Sequence, residues 1–191
     1  MKVIAFNGSA RKDGNTAILL NTVLEEIKKE GIETELYQLA GKKIQGCIAC
    51  YKCMKNKDKR CAVTKDIVNE CIEKMIEADG ILLGSPTYFA DVSAGTRALI
   101  ERTGYVARAN DYMFKRKVGA GVIAVRRGGA IHAFNSLNLF FFYQQIINPG
   151  SSYWAFAIGR DPGEVLNDAE GIQTMKTLGE NLAWLLKKVR S

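Results

Sequence analysis

Short apolar runs alternate with longer amphipathic stretches along the whole chain, and that alternation limits the folds open to it. Residues 3–6 form the first run, followed by a polar, glycine-containing loop at 7–14. Leu20, Val23, Leu24 and Ile27 then recur at the i, i+3, i+4, i+7 spacing that lines one helix face. Gly31 ends that helix, and residues 33–39 read as a second strand. Ile67, Val68, Cys71, Ile72, Met75 and Ile76 supply the stripe of a helix over about 65–78. Residues 81–83 read as a buried third strand, and regular structure is expected to stop at Gly84-Ser85-Pro86. A helix over 93–102, a β-branched fourth strand at 118–125 and an apolar helix over about 130–146 follow. A fifth strand at 153–158 precedes a final helix that buries Met175, Leu178, Leu182, Leu185, Leu186 and Val189. Asp168 and Glu170 at its start, and Lys187, Lys188 and Arg190 at its end, match the helix dipole.

Five such strands imply an α/β fold, a mainly parallel sheet covered by helices on both faces. Ligands in that architecture bind beyond the carboxyl ends of the strands, where the chain order switches. The loops after strands one, three and four are therefore the places to seek a site. A length of 191 residues suits a single domain over 1–191, interrupted by a cysteine-rich insertion at about 44–63. No stretch of about 18 apolar residues exists, so no membrane span is expected. The amino terminus enters a strand at once, without a signal-peptide layout, and a cytoplasmic location is expected. The formal charge of +7 points to nucleic acid, an anionic cofactor or an acidic protein partner. No nucleic-acid motif appears and the aromatics are not interleaved with a basic stripe, which argues against the first.

The first loop, Gly8-Ser9-Ala10-Arg11-Lys12-Asp13-Gly14-Asn15-Thr16, joins a strand to a helix N-terminus, where free backbone N–H groups and the dipole favour an anion. Ser9, Asn15 and Thr16 add donors, and Arg11 can pair two oxygens. It matches neither the Walker pattern nor G-x-G-x-x-G. The second loop, Ser85-Pro86-Thr87-Tyr88-Phe89-Ala90-Asp91, sets two aromatics at a strand end, where they suit a flat apolar ligand or simply pack over the sheet. The third, Arg126-Arg127-Gly128-Gly129, permits close backbone approach or a tight turn.

Cys47-x2-Cys50-x2-Cys53-x7-Cys61 is the sharpest chemical signal. Three thiolates at two-residue gaps can wrap one face of a cubane cluster, with a fourth from farther along. A zinc site of four thiolates is a second reading, though zinc motifs usually split into separated pairs. A third is that the four cysteines hold no metal. Cys71 falls in the apolar stripe of a helix and reads as buried. His132, at a helix start, receives no catalytic role.

Together the three loops resemble the NADPH-dependent FMN reductase and multimeric flavodoxin superfamily, and the cysteine segment resembles its iron–sulfur flavoprotein branch. The resemblance spans essentially the whole chain, including Asp168-x-Glu170-Gly171. It implies a flavodoxin-like sheet of order 2-1-3-4-5 and FMN as cofactor. Ser9, Arg11, Lys12, Gly14, Asn15 and Thr16 would hold the phosphate. Pro86, Thr87, Tyr88 and Phe89 would flank the ring, with Gly128 and Gly129 closing its other side. Cys47, Cys50, Cys53 and Cys61 would carry a [4Fe–4S] cluster. True flavodoxins lack the arginine and are usually acidic, and this chain departs on both points. An electron-transferring FMN oxidoreductase is the first expectation, with a ferredoxin-like acidic partner and assembly as a homodimer or homotetramer. An NAD(P)H-dependent FMN or quinone reductase without a cluster is the alternative, and a non-catalytic binding module the third.

Overall fold

The computed structural model describes residues 1–190. In chain order its elements are β1 (Lys2–Asn7), α1 (Asn15–Lys29), β2 (Glu33–Gln38), α2 (Lys52–Asn56), α3 (Val68–Glu77), β3 (Gly80–Tyr88) and β4 (Asp91–Val92). They continue with α4 (Ala94–Ala109), β5 (Val118–Val125), α5 (Ala130–Tyr143), β6 (Phe156–Ile158) and α6 (Ala169–Arg190). The sheet runs β2-β1-β3-β5-β6 with every neighbour parallel, while β4 turns back antiparallel onto the end of β3. Five parallel strands in the expected arrangement are thus joined by a sixth of only two residues.

Alternation along each strand builds two cores. Val3 and Ala5 of β1 face α1 and α6, among Leu20, Val23, Leu82, Met175 and Leu182. Ile4 and Phe6 face the other way, toward Leu83, Leu99, Phe114, Leu137 and Phe141. The two-residue period of a strand sends successive side chains to opposite layers. Strand β5 is buried along its whole length, which explains its continuous apolar sequence. No helix among the described residues is long and apolar enough to cross a membrane.

Regular structure does not stop at Gly84-Ser85-Pro86, contrary to expectation. Strand β3 continues to Tyr88, and Pro86 sits opposite Ala124 of β5. The reason lies on its other side: β1 pairs with β3 only as far as Asn7 and Gly84. Beyond that point β3 has become an edge, where a proline without an N–H is tolerated. The expected strand at 153–158 shrinks to Phe156–Ile158, and the helix expected to end at 102 runs on to Ala109.

Ser93 caps α4 by accepting from the Thr96 amide at 3.3 Å. Its hydroxyl also donates to the Gly8 carbonyl at 2.7 Å, and its own amide donates to Ser85 Oγ at 2.9 Å. With the Gly8 amide on the Gly84 carbonyl at 2.8 Å, one small buried network fixes the first loop against the second.

Candidate functional site

Beyond the carboxyl ends of β1, β3 and β5 lies a cleft of about 160 Å³. Ser9, Arg11, Asn15, Thr16, Pro86, Thr87 and Tyr88 line it, together with Ala124, Arg126, Gly159 and Arg160. Gly14 caps α1 with backbone alone, so no side chain covers the helix's free first-turn amides. The loop is shaped by its own bonds. The Ser9 amide donates to Asn7 Oδ1 at 3.0 Å, the Arg11 amide to Ser9 Oγ at 3.1 Å, and Gln38 Nε2 to the Ser9 carbonyl at 2.8 Å. Opposite it, residues 159–163 are drawn inward. Arg11 Nη1 donates to the Arg160 carbonyl at 3.3 Å, and the Gly163 amide donates to Asn15 Oδ1 at 2.8 Å. The cleft is lined by three guanidinium-bearing residues, Arg11, Arg126 and Arg160, a composition suited to an anion.

Of the residues expected here, Lys12 lies outside the cleft. It is exposed, and its carbonyl accepts from Asn7 Nδ2 at 3.3 Å. Tyr88 is half exposed at the cleft. Phe89 is fully exposed at the tip of the β3–β4 hairpin, where it and Ala90 both adopt positive φ. Thr87 Oγ1 is buried without a hydrogen-bond partner. Gly128 and Gly129 do not line the cleft either, but Gly129 binds the second and third loops together. At φ +87°, a side-chain carbon there would lie 2.6 Å from Ala90 Cα and 3.1 Å from Thr87 Cγ2.

The four cysteines meet in a second place. Cys47, Cys50, Cys53 and Cys61 line one small depression with Ile48, Ala62, Val63, Arg102, Tyr105 and Val106. The chain winds around it through left-handed residues Ala49, Tyr51, Lys57 and Lys59, and the short helix α2 between them buries no side chain. Cys47 and Cys50 are exposed, Cys53 and Cys61 half-buried. Burial pushes the Cys53 thiol up; the Met54 amide opposes this, and the charges of Cys61, Cys47 and Cys50 reinforce it. Bound as thiolates, the four sulfurs would supply negative charge for a cation or a cluster to neutralise. No set of three or more His, Cys, Asp or Glu side chains among the described residues is arranged to hold a single metal ion. A tetrahedral zinc ion at 2.3 Å would need its sulfurs only about 3.8 Å apart.

Cys61 is the most firmly held of the four. Its amide donates to Asn69 Oδ1 at 2.7 Å, its carbonyl accepts from Asn69 Nδ2 at 3.0 Å, and its Sγ accepts from Arg102 Nε at 3.3 Å. The Cys47 amide donates to Glu101 Oε2 at 3.3 Å. Cys71 takes no part: it is fully buried on the inner face of α3, and burial pushes its thiol up to about 12.

The model of the family described as NADPH-dependent FMN reductase matches residues 1–161. The chain belongs to that family. An iron–sulfur flavoprotein of Methanocaldococcus jannaschii is 36% identical over 197 residues, covering all of both chains. Among solved structures, RosB with the bound intermediate 8-demethyl-8-formylriboflavin-5'-phosphate superposes with a TM-score of 0.76 at 18% identity, covering 100% of this chain and 80% of that one. A WrbA-like flavodoxin from Agrobacterium tumefaciens gives 0.67 at 14% identity, over 98% and 97%. The fold is flavodoxin-like, and the chain is an FMN-dependent oxidoreductase of the iron–sulfur flavoprotein branch.

The cleft fits FMN. An uncapped helix N-terminus beside Ser9, Thr16 and Arg11 suits a phosphate. The orphaned Thr87 hydroxyl and the Tyr88 ring beside it suit a polar-edged aromatic ring. Reading the sequence alone missed Arg126, Gly159 and Arg160 of the cleft, and Arg102, Asn69 and Glu101 of the cysteine site. Arg126 was visible as the first residue of the third loop. Gly159-Arg160 follows the fifth strand, a loop the switch-point rule does not single out. Arg11→Ala is expected to weaken FMN binding by about 1.5–3 kcal/mol, through loss of a charge-assisted bond. Calorimetric titration checks this, and riboflavin binding as tightly as FMN would remove the phosphate role.

Proposed function

We propose that this chain passes electrons between an acidic protein donor of ferredoxin type and FMN, through a [4Fe–4S] cluster held by Cys47, Cys50, Cys53 and Cys61. The observation that carries this reading is the convergence of four thiols on one depression, in a chain that also holds a cleft suited to an anion. When bound, the cluster supplies one-electron chemistry, and the flavin one- and two-electron chemistry. The residues of the chain do the rest. Ser9, Arg11, Asn15 and Thr16 fix the phosphate, Thr87 and Tyr88 orient the ring, and the 159–163 segment closes over the phosphate end. The name of the M. jannaschii relative supports an iron–sulfur group here. The protein acts in the cytoplasm as a homodimer or homotetramer, for which exposed Leu139, Phe142 and Tyr143 on α5 offer an apolar face.

The donor is inferred from charge. Lys42, Lys43, Lys52, Lys55, Lys57, Lys59 and Arg60 lie within or beside the cysteine loop and are exposed, with Asp58 the acid among them. Arg60 is paired with Glu73, and Lys42 lies over the Tyr37 ring at 3.7 Å, so the α2 side carries the free positive field. Such a field steers a negative partner toward the redox centre. Reduction by an acidic ferredoxin is expected to slow steeply as salt rises through about 0.15 M, where the screening length is near 8 Å. Reversing Lys55, Lys57 and Lys59 to Glu is expected to slow it at low salt without changing FMN content. Stopped-flow rates indifferent to both changes would leave the loop as solvated surface.

One observation favours NAD(P)H as an alternative donor. The cleft is lined by Arg126 as well as Arg11, and the described residues give neither an acidic ion-pair partner. With Arg160 the cleft is lined by three guanidinium-bearing residues, whereas a single FMN phosphate carries about two negative charges. Flavin reduction by NADPH at full rate in a chain stripped of iron would favour this donor.

A further inference from the structure

Arg102 is the largest fully buried side chain among the described residues and belongs to none of the motifs read from the sequence. It projects from α4 into the cysteine segment, and each arm of its guanidinium is engaged. Nε donates to Cys61 Sγ at 3.3 Å, Nη2 to the Val63 carbonyl at 2.8 Å, and Nη1 to the Gln45 carbonyl at 3.2 Å. Nη1 also donates to Asp66 Oδ2, and both members of this ion pair are buried. These partners bracket the segment from just before Cys47 to just beyond Cys61. Removing a guanidinium and a carboxylate from water is costly, and an apolar pair would hold the same helix in place more cheaply. Packing therefore does not account for an arginine here. What an apolar pair lacks is an N–H on sulfur and a fixed positive charge beside it.

We propose that Arg102 is the positioning residue of the cysteine site. Its N–H on Cys61 Sγ orients the fourth thiolate, and its charge, moderated by Asp66, sets the reduction potential of the cluster that the thiolates hold. This rests on the cluster reading given above. Hydrogen bonds to the sulfurs and nearby charge are recognised controls of such potentials, and the partners behind first ligands orient them. The sign follows from electrostatics. Reduction adds one negative charge and breaks no bond, so a donor and a cation at the sulfur favour the reduced form. Asp66 opposes them.

The test compares three variants with the parent chain, all prepared without oxygen, by iron assay and by redox titration against a one-electron chemical titrant followed by electron paramagnetic resonance. Asp66→Asn keeps an acceptor for Nη1 but removes the negative charge, and the potential is expected to rise. The double variant Arg102→Gln with Asp66→Asn avoids a stranded carboxylate, so folding is protected. Compared with Asp66→Asn alone, it isolates the arginine. At a fixed potential its ratio of reduced to oxidised cluster is expected to be at least tenfold lower, a shift of about 59 mV for one electron. Arg102→Lys, keeping charge and donor, is expected to fall between. Iron lost from the double variant but retained by Asp66→Asn and Arg102→Lys would equally support the positioning role. Full iron in every variant with coincident potentials would overturn the proposal and leave the cluster reading intact. A parent chain without iron would overturn both, and the iron assay tells that outcome apart.

Discussion

Protein made and kept without oxygen is expected to contain about four iron and four sulfide per chain, and Cys53→Ala is expected to abolish both. Cys53 is the third of the four cysteines that line the depression. It sits half-buried on α2, with Val68, Ile72 and Val106 of the small core beneath the depression packed behind it. Losing it removes one of four thiolates and opens the apolar floor to water. Cys61→Ala is expected to do the same. Cys71→Ala is the control, because that thiol is sealed in the core and pushed up by burial. Its loss is expected to cost stability without touching iron, because deleting a buried sulfur leaves a small cavity. Iron and sulfide assays on the three variants check the assignment. Equal iron loss from Cys53→Ala and Cys71→Ala would sink it, and one zinc per chain in place of iron would return the site to the four-thiolate zinc reading.

What the sequence disclosed, and what it hid, divides along the range of the interactions involved. The five parallel strands and α1, α3 and α6 were legible because each shows in its own run of neighbouring residues, as a short apolar or alternating stretch or as a periodic apolar helix face. The first loop was legible for the same reason: strand, glycine turn and helix start are contiguous. Strand β3 running through Pro86 was not, because it depends on where β1 ends, some eighty residues earlier. The β4 hairpin is two residues long, below any pattern. Helix α2 is five residues long and fully buries no side chain, so no periodicity could announce it. Arg102 is only the last residue of the helix expected over 93–102, and nothing local marks it as buried. Its burial follows from Asp66, 36 positions away, which meets it only once α4 has packed under the cysteine loop. Arg160 enters the cleft through a bond from Arg11, 149 positions distant. The sites were visible as ligand-bearing segments, while the residues that hold those segments in place come from elsewhere in the fold.

Gly129→Ala is expected to lower stability by about 2–5 kcal/mol and to weaken FMN binding with it, whereas Gly128→Ala is expected to be near neutral. The two glycines stand side by side in the third loop, and the sequence gives no reason to separate them. The structure does. Gly129 caps α5 at φ +87°, a conformation that costs an L-residue about 1–2 kcal/mol. A methyl there would also meet Ala90 Cα at 2.6 Å, and backbone cannot swing aside as a side chain does. Overpacking of that kind costs about 1–3 kcal/mol more. Relief comes only by pushing the β3–β4 hairpin away from the third loop, and the hairpin carries Thr87 and Tyr88 of the cleft. Stability and cofactor affinity are therefore expected to fall together. At Gly128 a methyl meets nothing within 4 Å and the backbone asks for no special residue, so a change within about 0.5 kcal/mol is expected. Urea unfolding of the apoprotein and FMN titration of both variants give the comparison. Loss of stability at Gly129 with unchanged FMN affinity would show that the hairpin's seat against this loop does not shape the cleft, and equal effects at both positions would refute the steric argument itself.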